Sequence, residues 1–406
     1  MNAVPPRHGD FVSNASDADR WRVGSWLHKG FRPFFWLAAV HGAVLVPLWL
    51  GVLAGAYHPS RYFDAVSWHA HEMTFGFSMA VIAGFLLTAV GNWTQQETAV
   101  GPRLGFLVVL WSLGRVSVTV PGIPAAVVAA VDLLFVPVLS WTVLRPIARS
   151  GNWRNMVMVV ALWVMGIGNA MMHLDALGVW GGARRRGQFL ALDAIVLVVV
   201  LISARVIPMF TRNGCPTAQV VVRARLSMAG AMVTALVGVF DVLAPNASWK
   251  FSCCLVAGGL VWARAVGWGT MSTARSPLLW VLHAGHAWLG MGLLLRGLSY
   301  WVPGIPESTA VHGLTVGAIG TLCVGMMSRV SLGHTGRPLT APRFAVLSFV
   351  SISMAAVARV FAPLLMPQFS RLSIWLSGAL WSLALVFFLA GYSVVLGAPR
   401  VDGKPG

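Results

Sequence analysis

Charged residues are scarce in this 406-residue chain, 10% against roughly 25% in an average soluble domain. Acidic residues number only 12, and lysine is nearly absent, with three residues against 26 arginines. At 57% hydrophobic residues, a water-soluble fold could not cover its own surface, so that class is excluded. The four cysteines (Cys215, Cys253, Cys254, Cys323) form no CxxC pair and no disulfide framework. Nor is there a CxxCH, a P-loop, a nucleophile elbow or a GxGxxG beside a strand. Covalent haem attachment, nucleotide binding and serine-hydrolase chemistry therefore have no support. The formal charge of +17 is scattered over short loops instead of forming a stripe, which argues against nucleic acid as a partner.

What is present is long apolar runs, 34–56 among them. A bilayer core about 30 Å thick needs roughly 20 apolar residues in a helix. Lipid offers the backbone no hydrogen-bond partner, so such runs must be helical. Hydropathy set against Pro, Gly and Arg punctuation predicts spans at 34–56, 66–90, 104–120, 123–144, 155–177, 188–209, 226–244, 250–270, 277–299, 308–330, 342–362 and 372–397. Pro121-Gly122 reads as a tight turn between the third and fourth. The expected organisation is an all-α polytopic membrane protein of about twelve transmembrane helices: a tail over 1–32, one transmembrane domain over 33–398 and a short tail over 399–406. Residues 1–30 hold no apolar core like that of a signal peptide.

Arginines and lysines concentrate in alternate loops: Arg103; Arg145, Arg149 and Arg154; Arg212, Arg223 and Arg225; Arg337 and Arg343. The other loops hold chiefly Arg61, the triplet 184–186, Lys250 and Arg371. The positive-inside rule then makes both termini cytoplasmic in a bacterial inner membrane. Many of the nineteen Trp fall near span ends, as an aromatic belt should.

Ionisable groups inside spans are costly, and each is a functional hypothesis. Seven histidines lie in or at the ends of spans: His41, His69, His71, His173, His283, His286 and His312. Imidazole is the commonest metal ligand and is cheap to bury when neutral. A single such residue usually reads as a hydrogen-bonded core group, but seven together point to a metal or haem site. The orientation brings His69 and His71, His173 and His312 to one level near the periplasmic face, with His283 and His286 somewhat deeper and His41 deeper still. His69 and His71 are about 200° apart around a helix, so a regular helix aims only one of them at a given metal. His283 and His286, three apart, permit a shared site. Glu72 and Asp175 lie at the same level, either paired with arginine or orienting an imidazole. Met73, Met171 and Met172 neighbour the histidines and are possible soft copper ligands, although Met is also an ordinary core filler. Asp132, Asp193 and Arg264 read as members of buried ion pairs. Arg115 and Arg296 read as partners for haem propionates.

Several blocks carry a family resemblance. They are Gly30-Phe31-Arg32-Pro33-Phe34-Phe35; Trp68-His69-Ala70-His71-Glu72-Met73 leading to Ala83-Gly84-Phe85-Leu86-Leu87; Val206-Ile207-Pro208-Met209-Phe210-Thr211-Arg212-Asn213; and the run from His312-Gly313-Leu314-Thr315 through Ser331-Leu332-Gly333-His334 to Arg337. In this order, over residues 30 to 340, the chain resembles the NnrS family. That resemblance implies a twelve-span membrane protein with haem b and copper, associated with defence against nitric oxide and nitrosative stress or with denitrification. One departure stands out: where the family pattern has an aromatic, Leu282-His283-Ala284-Gly285-His286 has His286, which weakens its claim as a ligand. A second resemblance is to the catalytic subunits of haem–copper oxidases, carried by His69-Ala70-x-x-Met73-x-Phe75 and Gly91-Asn92-Trp93. It implies His69 and His312 as axial haem ligands. The departure here is a seventh span, 226–244, without histidine.

These readings lead to one principal expectation: a protein that binds or reduces nitric oxide, or another small diatomic, at a His-ligated site near the periplasmic side. Copper would sit near His173, His283 and His71, and the electron donor is not identified by any motif. The alternatives are a transporter of metal or small solutes along the same histidines and methionines, and a non-catalytic haem sensor or assembly factor.

Overall fold

The computed structural model describes residues 23–59 and 61–403. Most of the tail expected over 1–32, and the end of the one expected over 399–406, lie outside the described residues. The chain is an all-α polytopic bundle, with no strand among the described residues. Among the described residues twelve helical rods follow one another: α1 (Phe31–Leu53), α2 (Ala65–Thr94), α3 (Pro102–Thr119), α4 (Ala125–Arg149), α5 (Trp153–Ala176), α6 (Ala183–Gly214), α7 (Ala224–Leu243), α8 (Ser248–Ala265), α9 (Pro277–Trp301), α10 (Glu307–His334), α11 (Arg343–Leu365) and α12 (Pro367–Gly397). Ten of these are long and apolar enough to cross a membrane. The other two, α3 and α8, are 18 residues each and carry two cations apiece, Arg103 with Arg115 and Lys250 with Arg264. Both are helical and packed into the bundle, and their internal charges are what set them below the other ten in apolarity.

Local chemistry explains the boundaries. Pro102 and Pro277 open α3 and α9, where a missing N–H costs nothing. Gly122 turns the chain between α3 and α4 at φ 89°, a conformation that side chains with a Cβ avoid. Pro137 cannot donate to the Leu133 carbonyl, and α4 is interrupted at Leu134. Neighbouring rods run antiparallel, and the last packs against the first, so α12 and α1 close the bundle. The rods most enclosed by protein are α2, with 72% of its apolar window buried, and α9 and α10, with 67% each, against 28% for α7. Most of the intramembrane histidines are on these three.

Two rods leave regular α geometry in the same way. In α2, residues Glu72–Ser78 are π-helical, directly after His71; in α10, Gly313–Gly320 are π-helical, directly after His312. Such segments are rare and concentrate at functional sites.

Candidate functional site

The end of the bundle where α1 finishes is organised by Asp64. It caps α2, accepting from the Ser67 N–H at 3.0 Å and the Ser67 hydroxyl at 2.6 Å, and it pairs with Arg184 at 2.8 Å. Burial alone would push its pKa up. The Ser67 bonds and Arg184 outweigh that, so the carboxyl lies below its ordinary 3.8. Arg184 also grips Asp175 at 2.7 Å, which settles Asp175 as an arginine partner. The first turns of α2 are thereby fixed, and with them His69 and His71.

The two histidines leave α2 in different directions. The His69 ring stacks on Trp49 of α1, with centroids 4.6 Å apart and planes 16° from parallel. It lines a cavity of about 300 Å³, at the lower edge of the roughly 300–1,000 Å³ usual for small-molecule sites. Across this cavity stands His312 of α10; Met73, Arg185, Arg359 and Trp381 also line it. His312 Nδ1–H donates to the Ser308 carbonyl at 2.6 Å, which fixes the tautomer and leaves Nε2 with its lone pair. His69 Nδ1 is buried with no hydrogen-bond partner. Arg185 pairs with Glu307 at 2.5 Å, whereas half-buried Arg359 has no ion-pair partner among the described residues. The cavity thus presents two imidazoles with uncommitted nitrogen and one unneutralised cation.

His71 points away from this cavity into a closed polar cluster beside it. Its Nδ1–H donates to Glu72 Oε1 at 3.0 Å and its Nε2–H to Asn169 Oδ1 at 3.0 Å. Both ring nitrogens face acceptors, an arrangement only a cationic imidazolium satisfies. Asp132 of α4 accepts from Arg115, from Asn169 at 2.7 Å and from His173 Nε2–H at 3.0 Å. Arg115 of α3 also donates to Glu72 at 2.7 Å. The Tyr62 hydroxyl donates to His173 Nδ1 at 2.7 Å; burial, with Asp132 behind it, pushes this phenol above its ordinary value, so it keeps the proton. His41 of α1 donates to the Glu72 carbonyl at 3.2 Å. The charges sum to zero: Glu72 and Asp132 against Arg115 and His71. His71, His173 and Asp132 also place one donor atom each within 4.8 Å of one another, the only such metal-sized group among the described residues.

The histidines of α9 are elsewhere. His283 Nε2–H donates to the Thr211 hydroxyl at 2.8 Å, and the Thr270 hydroxyl donates to Nδ1 at 2.9 Å. His286 Nε2–H donates to the Val261 carbonyl at 3.1 Å, its ring 4.6 Å from Trp268. Rod α9 begins at the opposite end of the bundle, and His283 lies six residues in, about 9 Å along the axis. The pair is therefore near the far face and is not brought to His69, His71, His173 and His312. This corrects the depth expected for it.

Arg115 and Arg296, expected to face haem propionates, line no part of the His69–His312 cavity. Both are neutralised by carboxylates: Arg115 as described, and Arg296 by Asp193 at 2.5 Å and by Asp241, which Lys250 joins at 3.0 Å. The ion-pair reading of Asp132 and Asp193 is what the structure has, whereas Arg264, expected in the same class, donates to the Val200 carbonyl and the Ser203 hydroxyl instead of a carboxylate. The residues that sequence reasoning passed over are Arg359, Asn169 and Tyr62. Arg359 carried a usable signal, an arginine inside the span 342–362, three residues from its end; Asn169 and Tyr62 carried none.

No curated protein matches the chain. The model of the family described as NnrS protein matches residues 25–400, nearly the whole length. The chain therefore belongs to the NnrS family, membrane proteins of the nitric-oxide response.

Proposed function

We propose that this protein holds a haem b in the cavity between α2 and α10 and handles nitric oxide there. The observation that carries the reading is the pair His69 and His312: two histidines on facing rods, one fixed as a tautomer by Ser308, both with nitrogen left for a metal. The donor set fits the group. Imidazole is a usual axial ligand for haem iron, Trp49 and Trp381 offer flat apolar walls, and Arg359 offers a cation for a carboxylate. When bound, the haem supplies the iron that takes a diatomic ligand and exchanges electrons. The protein's part is to orient the imidazoles, to keep the pocket largely apolar and to hold the propionate side with Arg359.

Copper, the other metal implied by the family resemblance, has its best donor set in His71, His173 and Asp132, two imidazoles and a carboxylate. A competing observation favours a metal-free cluster: with His71 protonated, its charges already cancel. In that case Tyr62, His173, Asp132 and His71 form a buried hydrogen-bonded chain next to the cavity.

The test is optical. Detergent-purified protein is expected to show a Soret band that shifts on adding nitric oxide. His69→Ala and His312→Ala should each abolish or displace it, and Arg359→Gln should lower haem occupancy. Protein without stoichiometric haem, or spectra indifferent to both histidine substitutions, would end this reading. Copper accumulation in proteoliposomes would favour a transporter instead.

A further inference from the structure

At the end of the bundle where α1 begins, α3 and α4 and the loop before α3 enclose a groove of about 520 Å³, remote in sequence and position from the histidine cavity. Three guanidinium groups line it: Arg103 at the start of α3, and Arg145 and Arg149 on the last turns of α4. None of the three has a hydrogen bond or ion pair with a protein group among the described residues. Arg145 is steadied by the Trp141 ring, 4.9 Å away. The one carboxylate in the groove, Glu97, is taken by Lys29 at 2.5 Å.

Arginines at this end are expected from topology alone, so their number proves little. What distinguishes these three is that they share one groove; Arg225 and Arg343, at the same end, also have no hydrogen bond or ion pair with a protein group among the described residues but do not line it. Arg32 donates to the carbonyls of Leu396 and Ala398, Arg212 to that of Val220, Arg223 to that of Val266 and Arg400 to that of His334. Those four serve the fold, whereas the groove gathers three that do not. Beside them, Phe106 and Trp141 are each more than half exposed, on stretches of α3 and α4 that face outward from the bundle. A ligand matching the groove must carry a phosphate-like anion on one side and an apolar chain on the other.

We propose that this groove is a binding site for an anionic phospholipid, the guanidinium groups holding the phosphodiester and the acyl chain lying along Phe106 and Trp141. Arginine forks suit phosphate oxygens, and basic pockets between membrane helices are suited to anionic headgroups. The site does not depend on the haem reading, and none of its residues touches the histidine cavity.

Native mass spectrometry of delipidated protein in detergent, titrated with phosphatidylglycerol or phosphatidylcholine, tests it. Phosphatidylglycerol is expected to bind at least tenfold more tightly than phosphatidylcholine. Each guanidinium near the surface contributes about fivefold, so Arg103→Gln/Arg145→Gln/Arg149→Gln should weaken it on the order of a hundredfold. The corresponding triple lysine variant should retain most of the binding, and Arg225→Gln/Arg343→Gln, at the same end but outside the groove, should bind like the parent. The proposal is overturned if the triple glutamine variant keeps its lipid or if phosphatidylcholine binds equally well. Displacement of the lipid by inorganic pyrophosphate at comparable concentration overturns it in favour of a soluble anion.

Discussion

The charge count of the buried cluster makes a sharp demand on stability. Glu72 and Asp132 each carry a negative charge, Arg115 and His71 each a positive one, and all four are buried. Arg115→Gln leaves the cluster at −1 and Asp132→Asn leaves it at +1, while the double variant is neutral again. Breaking a buried pair by removing one partner costs roughly 3–5 kcal/mol, most of it from the charge left behind. If the singles add, the double variant loses about 6–10 kcal/mol. If charge balance governs, it loses about 3 kcal/mol less than that sum, because neither residual charge remains. Asp132→Asn should be the milder single, since His71 can shed its proton to compensate while the new amide oxygen still accepts a hydrogen bond.

The assay is unfolding in mixed micelles, followed by far-ultraviolet circular dichroism, for the parent, the two singles and the double. Additivity within about 0.5 kcal/mol would refute the reasoning and reduce the cluster to independent hydrogen bonds. Repeating the cycle after chelator treatment separates a proton from a metal ion as the fourth charge. With a proton on His71 all four curves stay where they were; with a metal the parent and Arg115→Gln curves shift, while the two that carry Asp132→Asn, and so lack a ligand, do not.

Two further outcomes follow from the same geometry. His283→Ala removes a partner from the Thr211 and Thr270 hydroxyls and should cost about 1–3 kcal/mol in the same unfolding assay, with the haem spectrum unchanged. Asp64→Ala should cost about 1 kcal/mol near neutral pH through loss of the α2 cap. Because the folded Asp64 carboxyl lies below its ordinary 3.8, its contribution is present above that value and fades as pH falls through the folded one. Parent and variant unfolding curves should therefore converge in acid.

The rods were legible in the sequence because period and length are local properties: the span expected at 66–90 is Ala65–Thr94, and that at 123–144 is Ala125–Arg149. Convergence of His69 with His312, and of His71 with His173, followed from counting crossings, since alternate rods start at opposite ends. The same count places His283 near the far face, since α9 starts at the end opposite to α2. Partner choice was not legible. Whether Arg115 meets a propionate or Asp132 depends on which side of α3 faces α4, and a helix with apolar residues all round gives no face to read. Arg359 shows the reverse: its position announced it, but only the packing of α11 between α10 and α12 reveals that no carboxylate among the described residues answers it.

The winding of α2 and α10 belongs with this last group. On α2 the cavity is lined by Val66, His69, Ala70, Met73 and Thr74, three and four residues apart, the stripe of a single helix face. Met73 and Thr74 already belong to the π segment Glu72–Ser78. On α10, Val311, His312, Thr315 and Val316 form the matching stripe, the last two inside the π segment Gly313–Gly320. Neither run contains proline, and each contains glycine, Gly76 in one and Gly313, Gly317 and Gly320 in the other. Gly76 has a steric reason as well: a Cβ there would run into the His41 ring that binds the Glu72 carbonyl. Both histidines precede the wider turns, so it is the roughly 200° between positions two apart on a helix that presents His69 to the cavity while His71 stays locked between Glu72 and Asn169.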